Sequence, residues 1–506
     1  MAGHVGAAGA SASACFSPVA LMVIAIASIA ITGGSVYGWP SMSQILRRDR
    51  VLFGSCAAGS RDADGSCNQV ERDYGLIFTV GAWANQGGRF FIGIMLDQAG
   101  PKRTSSACAF AFACGCVAFG FASSVAGLAA GLFLVGFGGA GMQLSVQSVS
   151  ALFPVNKSLV MASLSGAFQS ASGLYLSFEL LHSGTDISRL TLLLGQAGVA
   201  FTIAVVSVLV WPNKPFGLQP KPTTAGAATP SALTTVPVKA AEVPLKERGF
   251  WGQACSTEFL LLITYFSANV RDRFPICWTT VSELAPLTPQ RPAARFLAAV
   301  CSQALQCQFT VGTVALQLER KGDADGSMTR NFSLALALSF LAAPWIGTAF
   351  DRFGFPRVLA FLNLLLLGVP ATLLADSLDT QLLTCVLYSV GRVGLWASFF
   401  SFIGATFGFR HYGKLAGGGL LVQSLFCLLQ YPLLALTLAL RREFALVNTL
   451  FCVLTVAQFV TILVLHRRIG ARKQHGTKAE PVPVVKTATS EAVPPTSSTA
   501  EMVAPV

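Results

Sequence analysis

Arg392 lies in the run Tyr388-Ser-Val-Gly391-Arg392-Val-Gly394, within a stretch otherwise apolar enough for a bilayer interior. A guanidinium held there costs roughly 2.5 to 3.5 kcal/mol even on a lenient insertion scale, so it calls for an anion. Its planar fork suits a carboxylate bonded bidentately. The bland alternative is a fixed pair with an acidic side chain such as Glu179, or with carbonyls at a helix end. A second charged cluster, Asn269-Val-Arg271-Asp272-Arg273, interrupts another apolar segment. Arg271 and Asp272 point about 100° apart on a helix, so at least one of them faces an interior, and Asn269 stands beside them. Arg89 reads differently, as a structural residue one helical turn before a glycine and carboxylate.

Uncharged polar groups extend the set. Gln143 and Gln147 are four apart on one helical face, with Gly136 and Gly139 one to two turns earlier. Amides bond a zwitterion or a base edge without burying a charge; the alternative is hydrogen bonding between helices. Gln169, with its neighbour Ser170, and Gln430 are weaker instances. Tyr37 and Trp39 suit an aromatic wall against an apolar group, or anchors at a membrane interface.

These residues need elements that place them inside a membrane. The chain has 506 residues, 53% hydrophobic and 11% charged, with a mean hydropathy of +0.61. That is too apolar for an ordinary soluble domain. Crossing about 30 Å of hydrocarbon takes roughly 20 apolar residues as a helix, because every backbone polar group must bond within the segment. Twelve stretches qualify: 18–39, 74–96, 105–123, 125–150, 158–181, 190–211, 257–282, 331–350, 357–375, 380–407, 414–440 and 444–465. The expected fold is therefore an all-α polytopic membrane protein of 12 transmembrane helices in two pseudo-symmetric six-helix bundles.

The expected organisation is a tail of residues 1–17, a bundle over 18–211, a linker over 212–256, a second bundle over 257–468 and a tail over 469–506. The linker and last tail are rich in Pro, Thr, Ala and Ser and hold too few large apolar residues to bury a core, so both read as disordered. The first apolar run has no basic residue before it and is too long for a cleaved signal, so it reads as a first membrane helix. Residues 296–318 are long enough to span but carry Ser302, Gln303, Gln306, Gln308 and Gln317. They read as an amphipathic part of an outer-loop insertion over 284–330. The Lys and Arg distribution places both termini in the cytoplasm, modestly, because Arg47, Arg48, Arg50, Arg61 and Arg72 crowd the first outer loop. The net charge of +12 is explained by that topology and needs no nucleic-acid partner.

One pattern occurs twice. Gly93-Ile-Met-Leu-Asp97-Gln-Ala-Gly100-Pro-Lys102-Arg103 returns about 250 residues on as Gly347-Thr-Ala-Phe-Asp351-Arg352-Phe-Gly354-Phe-Pro-Arg357. Each copy closes an apolar segment, which means two homologous halves. The glycine lets a neighbouring helix come close. The carboxylate, at the inner rim, pairs with a base such as Arg103 or accepts from a helix N-terminus. Such contacts hold one conformation, and their release lets the halves rock.

The repeated pattern resembles the signature of the major facilitator superfamily, with Gln98 and Pro101 departing from its basic positions. A narrower set is similar to solute carrier family 43: Tyr37-Gly38-Trp39-Pro40, Leu76 to Trp83 leading into Asn85-Gln86-Gly87-Gly88-Arg89-Phe90, Gly136-Phe-Gly-Gly139, Phe407 to Gly417, and Leu428-Leu-Gln430-Tyr431-Pro432. The resemblance implies a sodium-independent facilitative carrier in the plasma membrane. Its solute would be small, polar and organic, neutral amino acids first, moved by alternating access. The alternatives are a nucleobase or other small metabolite, or a sensor that binds solute without moving it.

Enzymatic and ATP-driven chemistry find no support, since no Walker A run, HExxH or GxSxG occurs. No cofactor or metal is expected. The partners expected are a small-molecule solute and the lipid bilayer, with any cytosolic partners of the linker and tail unidentified. Of thirteen cysteines, Cys56 and Cys67 share the first outer loop and are expected to form a disulfide.

Overall fold

The computed structural model describes residues 16–56, 67–185, 187–216, 249–256, 259, 303–408, 410–440 and 443–477. Every regular element among them is helical. The order is α1 (Pro18–Thr32), α2 (Trp39–Arg48), α3 (Asn68–Phe121), α4 (Val125–Val146), α5 (Lys157–Ser170), α6 (Gly173–Gly184), α7 (Arg189–Val210), α8 (Phe250–Ala254), α9 (Gln303–Arg320), α10 (Ser327–Leu338), α11 (Ala343–Phe353), α12 (Phe355–Leu373), α13 (Thr380–Thr406), α14 (Tyr412–Cys427), α15 (Gln430–Ala439) and α16 (Ala445–Thr477). Among the described residues seven helices are long and apolar enough to cross a membrane, or eight if the bent pair Pro18–Thr32 and Ser35–Arg48 is one span. From His466 onward the chain is a separate unit.

The breaks have local causes. Between α1 and α2 the axis turns by 43° through a short 3₁₀ turn, Ser35–Gly38, before Trp39-Pro40 restarts the helix. Proline suits that first turn because its missing N–H has no intrahelical acceptor there. The turn carries Tyr37. Inside α3 the chain turns at Gly100, whose φ of 80° is in the left-handed region where a side chain is strained. Gly354 does the same between α11 and α12, at φ 79°. In both copies of the repeated pattern the next helix then begins with a proline, Pro101 or Pro356. Pro101, a departure from the family pattern, thus sits where helix geometry favours it.

Helices pack within each half and across the halves. Within the first, α3 lies along α4 and α7; within the second, α12 lies along α13. Across them, α5 meets α11 and α13, α3 meets α14, and α2 meets α9 and α10. One buried apolar cluster joins Leu305, Phe309 and Leu316 of α9 to Leu434, Leu438, Phe444, Val447 and Phe451.

That cluster corrects the expected outer insertion. Residues 284–302 lie outside the described part, but α9 is a buried bundle helix and α10 begins at Ser327, within the range assigned to the insertion. The amides that suggested a water-facing surface bond to other helices instead. Gln303 Nε2 donates to Asn363 Oδ1 at 2.7 Å, Gln306 to the Leu366 carbonyl at 2.7 Å and Gln308 to the Tyr37 hydroxyl at 3.0 Å. Polar groups buried among apolar helices are retained when each finds such a partner. The seventh span expected at 257–282 lies outside the described residues but for Phe259.

Cys56 and Cys67 are joined by a disulfide, with Cα atoms 5.9 Å apart. A non-reducing digest of surface-expressed protein is expected to yield the linked peptides; two alkylatable thiols would rule out the bond.

Candidate functional site

The break between α1 and α2 delivers Tyr37 to the centre of the bundle, fully buried. Its hydroxyl accepts from Gln86 Nε2 at 2.6 Å and Gln308 Nε2 at 3.0 Å, and donates to Asn85 Oδ1 at 3.2 Å. Three elements, α3, α9 and the turn itself, thereby meet on one phenol. Both oxygen lone pairs and its proton are used. The amide oxygens of Gln86 and Gln308 are left without a hydrogen-bond donor among the described residues.

Two arginines flank this hub. The Arg392 Cζ, from α13, lies 3.9 Å from the Tyr37 ring centroid. Its Nη1 donates to the Tyr388 hydroxyl at 2.9 Å, which donates in turn to the Cys307 carbonyl at 2.7 Å. Its Nε and Nη2 have no hydrogen-bond partner among the described residues. Arg89 donates through Nε to the Asn85 carbonyl at 2.9 Å, and its guanidinium stands 5.2 Å from the Phe168 ring and 5.3 Å from the Phe400 ring. Its Nη1 also lacks a partner there. Among the described residues no carboxylate lies within 4.0 Å of either guanidinium. Aromatic faces offset part of the charge, by about 2 kcal/mol in a desolvated setting, far less than ionic pairing of a buried cation requires.

Glu179 is not the partner of Arg392, because it is held by Arg48 at 3.1 Å with Arg330 at 3.9 Å. Trp39 is in ring contact with Tyr74 and Phe78, so the rings against the guanidiniums are those of Tyr37, Phe168 and Phe400. Gln143, Gln147 and Gln169 are buried with both amide atoms unpartnered among the described residues, and Gln430 with its oxygen so. Asn269 and Arg271 lie outside the described residues.

The two ends of the bundle are held differently. At one end a Cβ on Gly93 would stand 2.1 Å from the Gly413 carbonyl oxygen, so the α3 and α14 backbones touch. Asp97 Oδ2 accepts from the Lys414 backbone N–H at 3.2 Å in the first turn of α14, a helix N-terminus rather than Arg103. A Cβ on Gly347 would stand 2.8 Å from the Leu159 Cα, while Asp351, Arg352 and Arg357 are exposed. The Lys102 backbone N–H bonds the Pro212 carbonyl at 3.2 Å, and the Lys102 and Arg103 side chains edge a groove lined by Phe110, Phe201 and Val205. At the other end the contacts are ionic. Arg47 pairs with Glu71 at 2.6 Å and approaches Glu319 at 3.9 Å; Ser41 bonds Ser333 at 3.0 Å. Among the described residues, contacts cross the halves at both ends and the central cluster between them is buried.

Sequence reasoning missed Asn85, Gln86, Gln308 and Tyr388 as site residues and took Arg89 as structural only. A signal for Asn85 was present in Asn85-Gln86-Gly87-Gly88-Arg89, where Asn85 and Arg89, four apart, share one side of a helix.

A family model described as Major Facilitator Superfamily matches residues 68–291. The chain is similar to the large neutral amino acids transporter small subunit 3 of Homo sapiens, 22% identical over 467 residues, covering 78% of this chain and 83% of that protein. It is also similar to the equilibrative nucleobase transporter 1 of Bos taurus, 21% identical over 493 residues, covering 89% and 96%. The crystal structure of the human organic anion transporter MFSD10 superposes with a TM-score of 0.54 at 15% identity, over 87% of this chain and 99% of that one. That likeness shows a shared fold.

Proposed function

We propose that this chain, a multi-pass transporter of the major facilitator superfamily, moves a small organic solute that carries a carboxylate, an amino acid above all, by facilitated diffusion with alternating access. The observation that carries the reading is Arg392, a buried guanidinium with two N–H-bearing nitrogens free of protein partners and no carboxylate near it among the described residues. A carboxylate from the solute supplies both the charge and the bidentate acceptor. The human relative's name supports neutral amino acids in particular. The twelve-span organisation, the cytoplasmic placement of both termini and of the repeated pattern, and the plasma membrane belong to this proposal. So do the gating roles of the two repeats, in which the Gly93 and Gly347 contacts open and re-form as the halves rock.

A second reading, a nucleobase, is favoured by the amides of Gln143, Gln147 and Gln169, which have no hydrogen-bond partner among the described residues and suit a base edge. Uptake of a radiolabelled panel by cells expressing the chain separates them. Saturable, sodium-independent uptake of at least one amino acid, neutral or acidic, is the expected result. Uptake of adenine with none of any amino acid would overturn it, and binding without net flux would make the chain a sensor.

A further inference from the structure

Among the described residues the central site holds two buried guanidiniums, Arg89 and Arg392, and a single α-carboxylate answers only one. We infer that the solute of this chain carries two acidic groups and an amine, an acidic amino acid. The inference rests on the carboxylate reading above and narrows it. Arg392 and Arg89 both reach one hydrogen-bonded hub: the Arg392 Cζ lies 3.9 Å from the Tyr37 ring centroid, and Arg89 bonds the backbone carbonyl of Asn85, whose side chain takes the Tyr37 proton. Each keeps at least one nitrogen without a partner among the described residues, Nε and Nη2 on Arg392 and Nη1 on Arg89.

The charge balance decides between solute classes. A neutral amino acid pairs its one carboxylate with Arg392 and leaves Arg89 without an anion. A second carboxylate pairs with the second guanidinium and removes the cost of leaving that buried cation without an anion. The ammonium is answered by uncharged acceptors, the side-chain oxygens of Gln86 and Gln308, both freed because their amide nitrogens are turned to the Tyr37 hydroxyl. Arg392 takes the α-carboxylate and Arg89 the side-chain carboxylate.

Purified full-length protein in proteoliposomes tests this with radiolabelled glutamate and glutamine, which differ in one acidic group and hardly in size. The wild type is expected to favour glutamate by roughly tenfold or more in uptake efficiency, the value of one charge-assisted hydrogen bond. Arg89→Gln is expected to collapse that ratio to about unity, chiefly by slowing glutamate. The wild-type ratio needs no variant, so it stands even if Arg89→Gln fails to fold. Arg89→Lys, which keeps the charge without the fork, is expected to hold an intermediate ratio. A wild type that prefers glutamine or leucine overturns the inference and leaves the carboxylate reading intact, as does an Arg89→Gln protein that slows both solutes alike. Transport of adenine with neither amino acid moved overturns both.

Discussion

Arg392→Lys is expected to raise the apparent Kd for a carboxylate-bearing solute by roughly tenfold or more, with surface expression retained. The substitution keeps the charge and loses the fork. In the wild type, Nη1 is committed to the Tyr388 hydroxyl while Nε and Nη2 remain for a ligand. A lysine ammonium is a point charge and cannot serve both Tyr388 and two carboxylate oxygens in one plane. A charge-assisted bond is worth on the order of 1.5 to 3 kcal/mol, and each 1.4 kcal/mol is a factor of ten in affinity. The control is an analogue whose α-carboxylate is an uncharged amide. The wild type should reject it strongly and the mutant weakly. Equal discrimination by both proteins would make Arg392 a structural residue, held by its stack on Tyr37.

How much of this was legible in the sequence depends on how local the cause is. The repeated pattern was read because its glycines act on their own surroundings: Gly100 and Gly354 turn the chain at positive φ, and Gly93 and Gly347 admit a neighbouring helix. Arg392 was read because an intramembrane cation is costly wherever the chain goes next. Its partners were not, because Tyr37 meets Gln86 across 49 positions and Gln308 across 271. Periodicity says which side of a helix is polar and not what that side meets. The helix Gln303–Arg320 shows the limit: its amides give the same pattern whether they face water or neighbouring helices, and only packing reveals the second. Arg89 shows the same divide, since its distance from the repeat is a sequence fact and its place beside Phe168 and Phe400 is a tertiary one.

The contact between α3 and α14 yields the other large expected effect. Gly93→Val should abolish transport while leaving the protein at the cell surface. A Cβ on Gly93 falls 2.1 Å from the Gly413 oxygen and 2.5 Å from its carbonyl carbon, and a Cβ on Gly413 would fall 2.6 Å from the Gly93 oxygen. All of these are backbone atoms, so no rotamer change relieves them and the helices must part. Parting them also withdraws the Lys414 N–H from Asp97, 3.2 Å away in this structure. Overpacking of this kind typically costs about 1 to 3 kcal/mol, which shifts a two-state gate by roughly five-fold to over a hundredfold. A cysteine at position 414 should then label faster from the side that carries the repeats, which distinguishes a gate held open from a lost binding site. Gly418→Val is the matched control on the same helix, because a Cβ there meets nothing within 4 Å. Asp97→Asn, which keeps one oxygen acceptor but not the charge, should slow transport by only about several-fold. If Gly93→Val transports as Gly418→Val does, the close approach of α3 and α14 is not part of the transport cycle, and the ionic contacts of Arg47 and Glu319 at the other end become the place to look for the gate.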